Sequence, residues 1–316
     1  MRNTILFLIL SLGFVSCTHI QKESTFEIKP IPNKRLDMQQ QIVAQLSGQT
    51  PIGDTTHLTS RWTPEQRAIT RFYLQEIIEQ LGLKAIEHKY RFANSNFGVD
   101  LLIEPYTGAN LYTILPATTP TNQYIILGAH YDTGRRNAPG AIDNATGIAL
   151  IYAVVKAMQK LPERNQNIIM VFFDQEEEEN IGSRAFIKHL QKTDWKISSV
   201  HCFDMVGWDG NHDNAIEIYT PSDQLEKLYL DIGTQLNKKI FNLKINPVGY
   251  TNSSTDFDEF VRAGYNVIGA GECYYHKDSS PYKDTYKDTF ETVDFRYLLS
   301  VTNFIEKILK KLITTP

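Results

Sequence analysis

The order of apolar segments predicts an α/β fold, a mostly parallel, mixed central sheet with helices on both faces. Two observations carry this. From Tyr124 onward, short apolar runs such as Tyr124–Leu127 and Asn167–Phe173 alternate with amphipathic helical stretches, the pattern of strands joined by crossover helices. The 316 residues carry 42% hydrophobic and 22% charged side chains, enough to bury a full core and too ordinary for a collagen-like or disordered chain.

The elements follow in order. Residues 38–46 read as a short helix. Thr63-Pro64-Glu65-Gln66 is a helix start: Thr63 caps, Pro64 fits the first turn, and Gln66 completes a capping box. Ile69, Phe72, Tyr73, Ile77 and Leu81 then share one face, and Gly82 ends the helix. Residues 86–92 alternate as a strand does, and 110–115 form another strand, stopped by Pro116. Further strands are expected at 124–127, 167–173, 200–203, 215–219 and 266–270. Helices are expected at 147–158, 183–190, 224–236 and 295–312, the last capped by Asp294. No repeat or linker divides residues 35–316, which read as one domain.

The amino terminus is different in kind. Residues 1–17, MRNTILFLILSLGFVSC, place Arg2 before an apolar run from Ile5 to Val15 and end in Ser16-Cys17. The run is short for a membrane span and matches a signal-peptide core. It resembles the lipobox of bacterial lipoproteins, although Phe14 departs from the usual leucine. That resemblance implies lipidation at Cys17, residues 18–34 as a tether, and a chain exported to the cell envelope and anchored to a membrane; the plainer reading is an ordinary secretory signal with an incidental cysteine. Three cysteines are too few for a disulfide scaffold. With Cys17 accounted for, Cys202 and Cys273 remain, either as thiols or as a pair. A net charge of −4 gives no sign of a nucleic-acid partner, and a monomer is expected.

Sites in open α/β sheets form beyond the carboxyl ends of strands, and those ends are charged here. The 124–127 strand runs into Gly128-Ala129-His130-Tyr131-Asp132. The 167–173 strand runs into Asp174-Gln175-Glu176-Glu177, and the 200–203 strand into Asp204. Between the first of these strands and its helix lies Gly140-Ala141-Ile142-Asp143-Asn144. A bare cluster of carboxylates is costly because like charges repel, and divalent cations remove that cost. His130, Asp143, Glu177 and Asp204 are therefore candidate metal ligands. Asp132 is placed to orient His130 through its other ring nitrogen, and Glu176 to act as general base. Taken one at a time, each has a plainer reading: a structural histidine, a helix cap, a solvated acidic run.

Together the segments 128–133 (GAHYDT), 140–147 (GAIDNATG), 172–186, 203–207 (FDMVG), 254–264 and 284–295 resemble the M28 family of zinc metallopeptidases, over roughly residues 35–312. The resemblance implies two zinc ions. His130 and Asp204 would hold one, Glu177 the other, and Asp143 would bridge them, with Glu176 as general base. The family's last ligand is a histidine in Tyr-His-Thr-x-x-Asp-Thr; this chain has Lys283-Asp284-Thr285-Tyr286-Lys287-Asp288-Thr289. Asp284 then stands as the second-ion ligand, with His276, or a site that holds one metal poorly, as the alternatives. Asp256 reads as a substrate-site residue or as a cap for a helix over 257–263, and Trp208 and Tyr250 as rim or core aromatics. The resemblance implies a metal-dependent exopeptidase of peptide substrates, most simply an aminopeptidase. A glutaminyl cyclase on the same fold with one zinc, and a non-catalytic binding protein, are the other readings.

Overall fold

A computed structural model describes residues 28–92, 106–244 and 255–314; the readings at residues 1–27 and at Tyr250 lie outside these. The chain begins with α1 (Arg35–Leu46) and α2 (Pro64–Gln80), then β1 (Ile86–Phe92), β2 (Tyr106–Leu115) and β3 (Gln123–His130). A tight turn over Ala141–Ala145 leads to α3 (Thr146–Met158), followed by β4 (Asn167–Phe173), α4 (Ile181–Leu190) and β5 (Lys196–Asp204). Then come β6 (Ile216–Thr220), α5 (Asp223–Gln235), β7 (Ile240–Lys244), α6 (Asp256–Arg262), β8 (Val267–Gly271) and α7 (Phe295–Thr314).

The helix starts form as their residues dictate. The Thr63 hydroxyl accepts from the Gln66 backbone N–H at 3.3 Å, and the Gln66 side chain accepts from the Thr63 N–H at 3.1 Å. The Asp294 carboxylate accepts from the N–H groups of Arg296 and Tyr297 at 2.9 and 3.0 Å. Both satisfy donors that the first turn of a helix leaves free.

The eight strands form one sheet in the order β1-β2-β4-β3-β5-β8-β6-β7. β3 pairs in parallel with β4 and β5, β5 with β8, and β6 with β7. The pairs β1·β2, β2·β4 and β6·β8 are antiparallel. The centre is thus parallel and the flanks reverse. β7 was not anticipated: its five residues, IFNLK, interrupt their apolar pattern with Asn242 and lie at the sheet edge.

Side chains alternate across the sheet. Ile125, Leu127 and Ala129 of β3, with Ile168, Met170 and Phe172 of β4, face the larger core under α1, α2, α3, α5 and α7. Ile126, Ile169, Val171 and Phe173 face the opposite core, closed by Phe186 and Leu190 of α4 and Phe257 and Phe260 of α6. Burial on both faces explains why β3 and β4 read as continuous apolar runs. Truncating Phe172, which is fully buried, removes contacts worth about 3–5 kcal/mol.

This layering positions the site. The adjacent strands β4, β3, β5 and β8 run in parallel, so their carboxyl ends meet along one edge. His130 is opposite Phe173, and Asp204 is opposite Gly271.

Candidate metal centre

At that edge the side chains converge. His130, the last residue of β3, is buried. Its Nε2 lies 3.1 Å from Asp143 Oδ1 and 3.3 Å from Asp204 Oδ1. Glu176 lies within reach of the same His130–Asp204 pair, and Glu177 within reach of His130 and Asp143. Asp132 Oδ1 is 3.5 Å from His130 Nδ1. The two Asp132 oxygens also accept the backbone N–H groups of Glu176 (3.0 Å) and Glu177 (3.2 Å). One carboxylate therefore stands beside the histidine and aims the peptide that carries both glutamates.

The Asp143 segment is held from three directions. The Asp288 carboxylate accepts from the N–H of Ile142 at 2.8 Å and of Asp143 at 3.0 Å. Arg61 is fully buried and donates to the carbonyls of Leu46, Tyr131, Pro139 and Gly140 at 2.6–2.9 Å, with Asp143 O at 3.4 Å. Asn144 donates to Phe203 O at 2.9 Å and accepts from Gly147 and Met205, joining the loop to the end of β5. Neither Arg61 nor Asp288 was singled out by sequence reasoning. Asp288 lies inside a motif read for its ligand alone. Arg61 precedes a helix cap and looks like any solvated cation.

The outer half of the centre is built around Gly134. A Cβ there would lie 2.3 Å from Asp284 Oδ1 and 2.9 Å from Glu177 Oε2, so two carboxylates close on bare backbone. Lys283 Nζ lies 3.8 Å from Asp143 Oδ2.

The electrostatics are those of crowded anions. Burial, then Asp143, pushes the Glu177 carboxyl up to about 9. Burial drives Glu176 well above the usual carboxylate range, with Asp204, Glu177 and Asp256 adding to it against His130. Burial also works against the Asp143 carboxylate, but Lys283, His130 and Arg61 together hold it down to about 2. Both oxygens of Asp143 and Oδ1 of Asp284 are buried with no hydrogen-bond partner, although such atoms are ordinarily satisfied. Donors about 2.0–2.1 Å from a tetrahedral metal ion stand about 3.3 Å from one another. The His130–Asp143 and His130–Asp204 separations are of that size. The residues present therefore fit a divalent metal.

His276 is away from this centre: its Nδ1 pairs with Glu217, which also accepts its backbone N–H, and its ring stacks on Phe241 at 3.6 Å. A loop histidine is thereby spent on fixing its own loop. Asp256 is buried as the first residue of α6, beyond the cap Thr255. Burial raises its carboxyl to about 7, and His130, Asp132 and Asp204 are among the charges it faces. Trp208 donates to Asp278 Oδ1 at 3.2 Å and packs edge-on to Tyr282, outside the cavity beside Asp204. That cavity has a volume of about 290 Å³ and an apolar floor of Cys202, Tyr219, Phe257 and Ala270. Cys202 and Cys273 are buried, free thiols.

Comparison with known proteins agrees with this fold. No curated protein sequence matches the chain. The LapA aminopeptidase of Legionella pneumophila superposes with a TM-score of 0.72 at 17% identity, over 94% of this chain and 78% of that one. A zinc aminopeptidase of Bacillus subtilis gives 0.71 at 12% identity over 90% and 97%. A glutaminyl cyclase of Porphyromonas gingivalis gives 0.69 at 16% over 88% and 98%. These likenesses concern the fold. The model of peptidase family M28 matches residues 110–308, a span that includes every side chain gathered at the strand ends; the chain belongs to peptidase family M28 and is a metallopeptidase.

Proposed function

We propose that the chain is a zinc-dependent exopeptidase, an aminopeptidase, that hydrolyses peptides at the cell envelope. The observation that carries this reading is the convergence of His130, Asp143 and Asp204 with Glu176 beside them. His130, Asp143 and Asp204 would hold one zinc ion. Glu177 and Asp284, with Asp143 shared, offer the donors for a second. Bound there, zinc supplies a Lewis acid for the scissile carbonyl and lowers the pKa of the attacking water.

The chain's own groups do the rest. The Glu176 carboxylate takes a proton from the attacking water and delivers it to the departing amine nitrogen. Asp132 keeps Glu176 and His130 in register through the contacts described above. Asp256 offers a carboxylate to the substrate's amino group, and the cavity beside Asp204 receives a substrate side chain. A lipid at Cys17, with residues 18–34 as tether, would hold this monomeric domain at a membrane.

The test is hydrolysis of aminoacyl anilides by the purified chain, abolished by a chelator and restored by zinc. Glu176→Gln should keep its metal and lose activity by about 10²–10⁴-fold; full activity in that variant would refute the assignment. The likeness to a glutaminyl cyclase supports a second reading, cyclisation of an N-terminal glutamine. A glutamine-initiated peptide separates the two, because only one product retains the full residue count.

A further inference from the structure

Lys283 has no part in the ligand set, yet it lies inside it. Its ammonium is 3.8 Å from Asp143 Oδ2. Asp204, Glu177 and Glu176 are the other carboxylates that act on it. It also lines the cavity beside Asp204, and its side chain is 44% exposed, so it reaches the centre from the rim. The next residue, Asp284, puts an anion where the resembling motif has a neutral imidazole. The segment 283–284 thus adds one negative and one positive charge to the same few ångströms, and the two offset each other.

A fixed cation beside Asp143 has a consequence for loading. It stands 3.8 Å from one oxygen of the carboxylate that two ions would share, too far to hydrogen-bond it, and it repels any ion that approaches that oxygen. The His130 side uses the other oxygen, since His130 Nε2 lies 3.1 Å from Asp143 Oδ1 while Lys283 approaches Oδ2. We infer that Lys283 is a resident cation of the centre: it competes with a second divalent ion for Asp143, so the chain holds one ion tightly and the other weakly. This rests on the metallopeptidase reading of the site and refines it.

The experiment is a zinc titration of the metal-depleted full chain, with bound ions counted by native mass spectrometry. The wild type should take up one ion and then a second at least tenfold more weakly. Lys283→Met and Lys283→Gln should tighten that second step at least tenfold, and Lys283→Arg, which keeps the charge, should leave it weak. Because the side chain is partly exposed, these variants retain the core, and agreement between the Met and Gln variants guards against a local packing effect. Two ions bound equally by the wild type, or a second step unmoved in both neutral variants, would overturn the inference. Absence of any bound zinc would refute the metallopeptidase reading itself, a distinct result.

Discussion

Two buried histidines on neighbouring strands, His130 on β3 and His201 on β5, have equal burial and opposite chemistry. His201 is enclosed by neutral partners: Ser199 Oγ lies 2.9 Å from Nε2 and Tyr229 OH 2.8 Å from Nδ1. Burial lowers its pKa to about 3. Burial also opposes charge on His130, but Glu176 and Asp204, with Asp132 and Asp143 in contact, raise it well above 6.5. A histidine whose partners are satisfied and neutral is structural. One that faces carboxylates with unpartnered oxygens marks a place for a cation. Depth alone separates nothing; the partner set does.

Removing each ring should separate the two roles most sharply. His130→Ala should lose bound zinc and reduce hydrolysis beyond the roughly 10–100-fold typical of outer-shell changes. His201→Ala should retain zinc and cost about 1–3 kcal/mol of stability. Metal analysis and urea unfolding of both variants check this, and loss of zinc in the His201 variant would erase the distinction.

Arg61→Lys is the next largest. A lysine cannot serve the carbonyls of residues 46, 131, 139 and 140 together, so the Asp143 loop loosens. Zinc affinity should fall by about 10–100-fold with the sheet intact, as competition with a chromogenic chelator would report.

The pH response sharpens the contrast further. His201 has a folded pKa below its unfolded value, so its contribution is present above about 6.5 and is lost as pH falls toward 3. Each pH unit in that window costs up to about 1.4 kcal/mol. Urea unfolding from pH 7 to 5 should show this slope in the wild type and a shallower one in His201→Gln. The smallest expected effect concerns the thiols. Burial raises Cys273 to about 12 and Cys202 well above 9, so neither should react with a thiol reagent until the chain unfolds.

Much of this was legible locally. The Thr63–Gln66 and Asp294 caps and the buried strands β3 and β4 are consequences of neighbouring residues. So is the placement of charged residues at strand ends, because a parallel sheet brings those ends together whatever the loops do. Strand limits were less accurate: β2 begins at Tyr106 and β5 at Lys196, where ladder pairing extends the strand through polar residues. Arg61, Asp288 and Lys283 were not legible, since each matters through a partner between about 70 and 150 positions away. Edge strand β7 was hidden because it has little apolar periodicity of its own.

The clamp on Asp143 has a consequence for the timing of assembly. Asp284 and Asp288 come after β8 while Arg61 comes before α2, and both segments must reach the β3–α3 loop before its donors are fixed. A nascent chain therefore lacks a finished centre until Asp288 has been added. The loop that carries Asp143 is finished only when one partner 79 positions before it and another 146 positions after it have both docked.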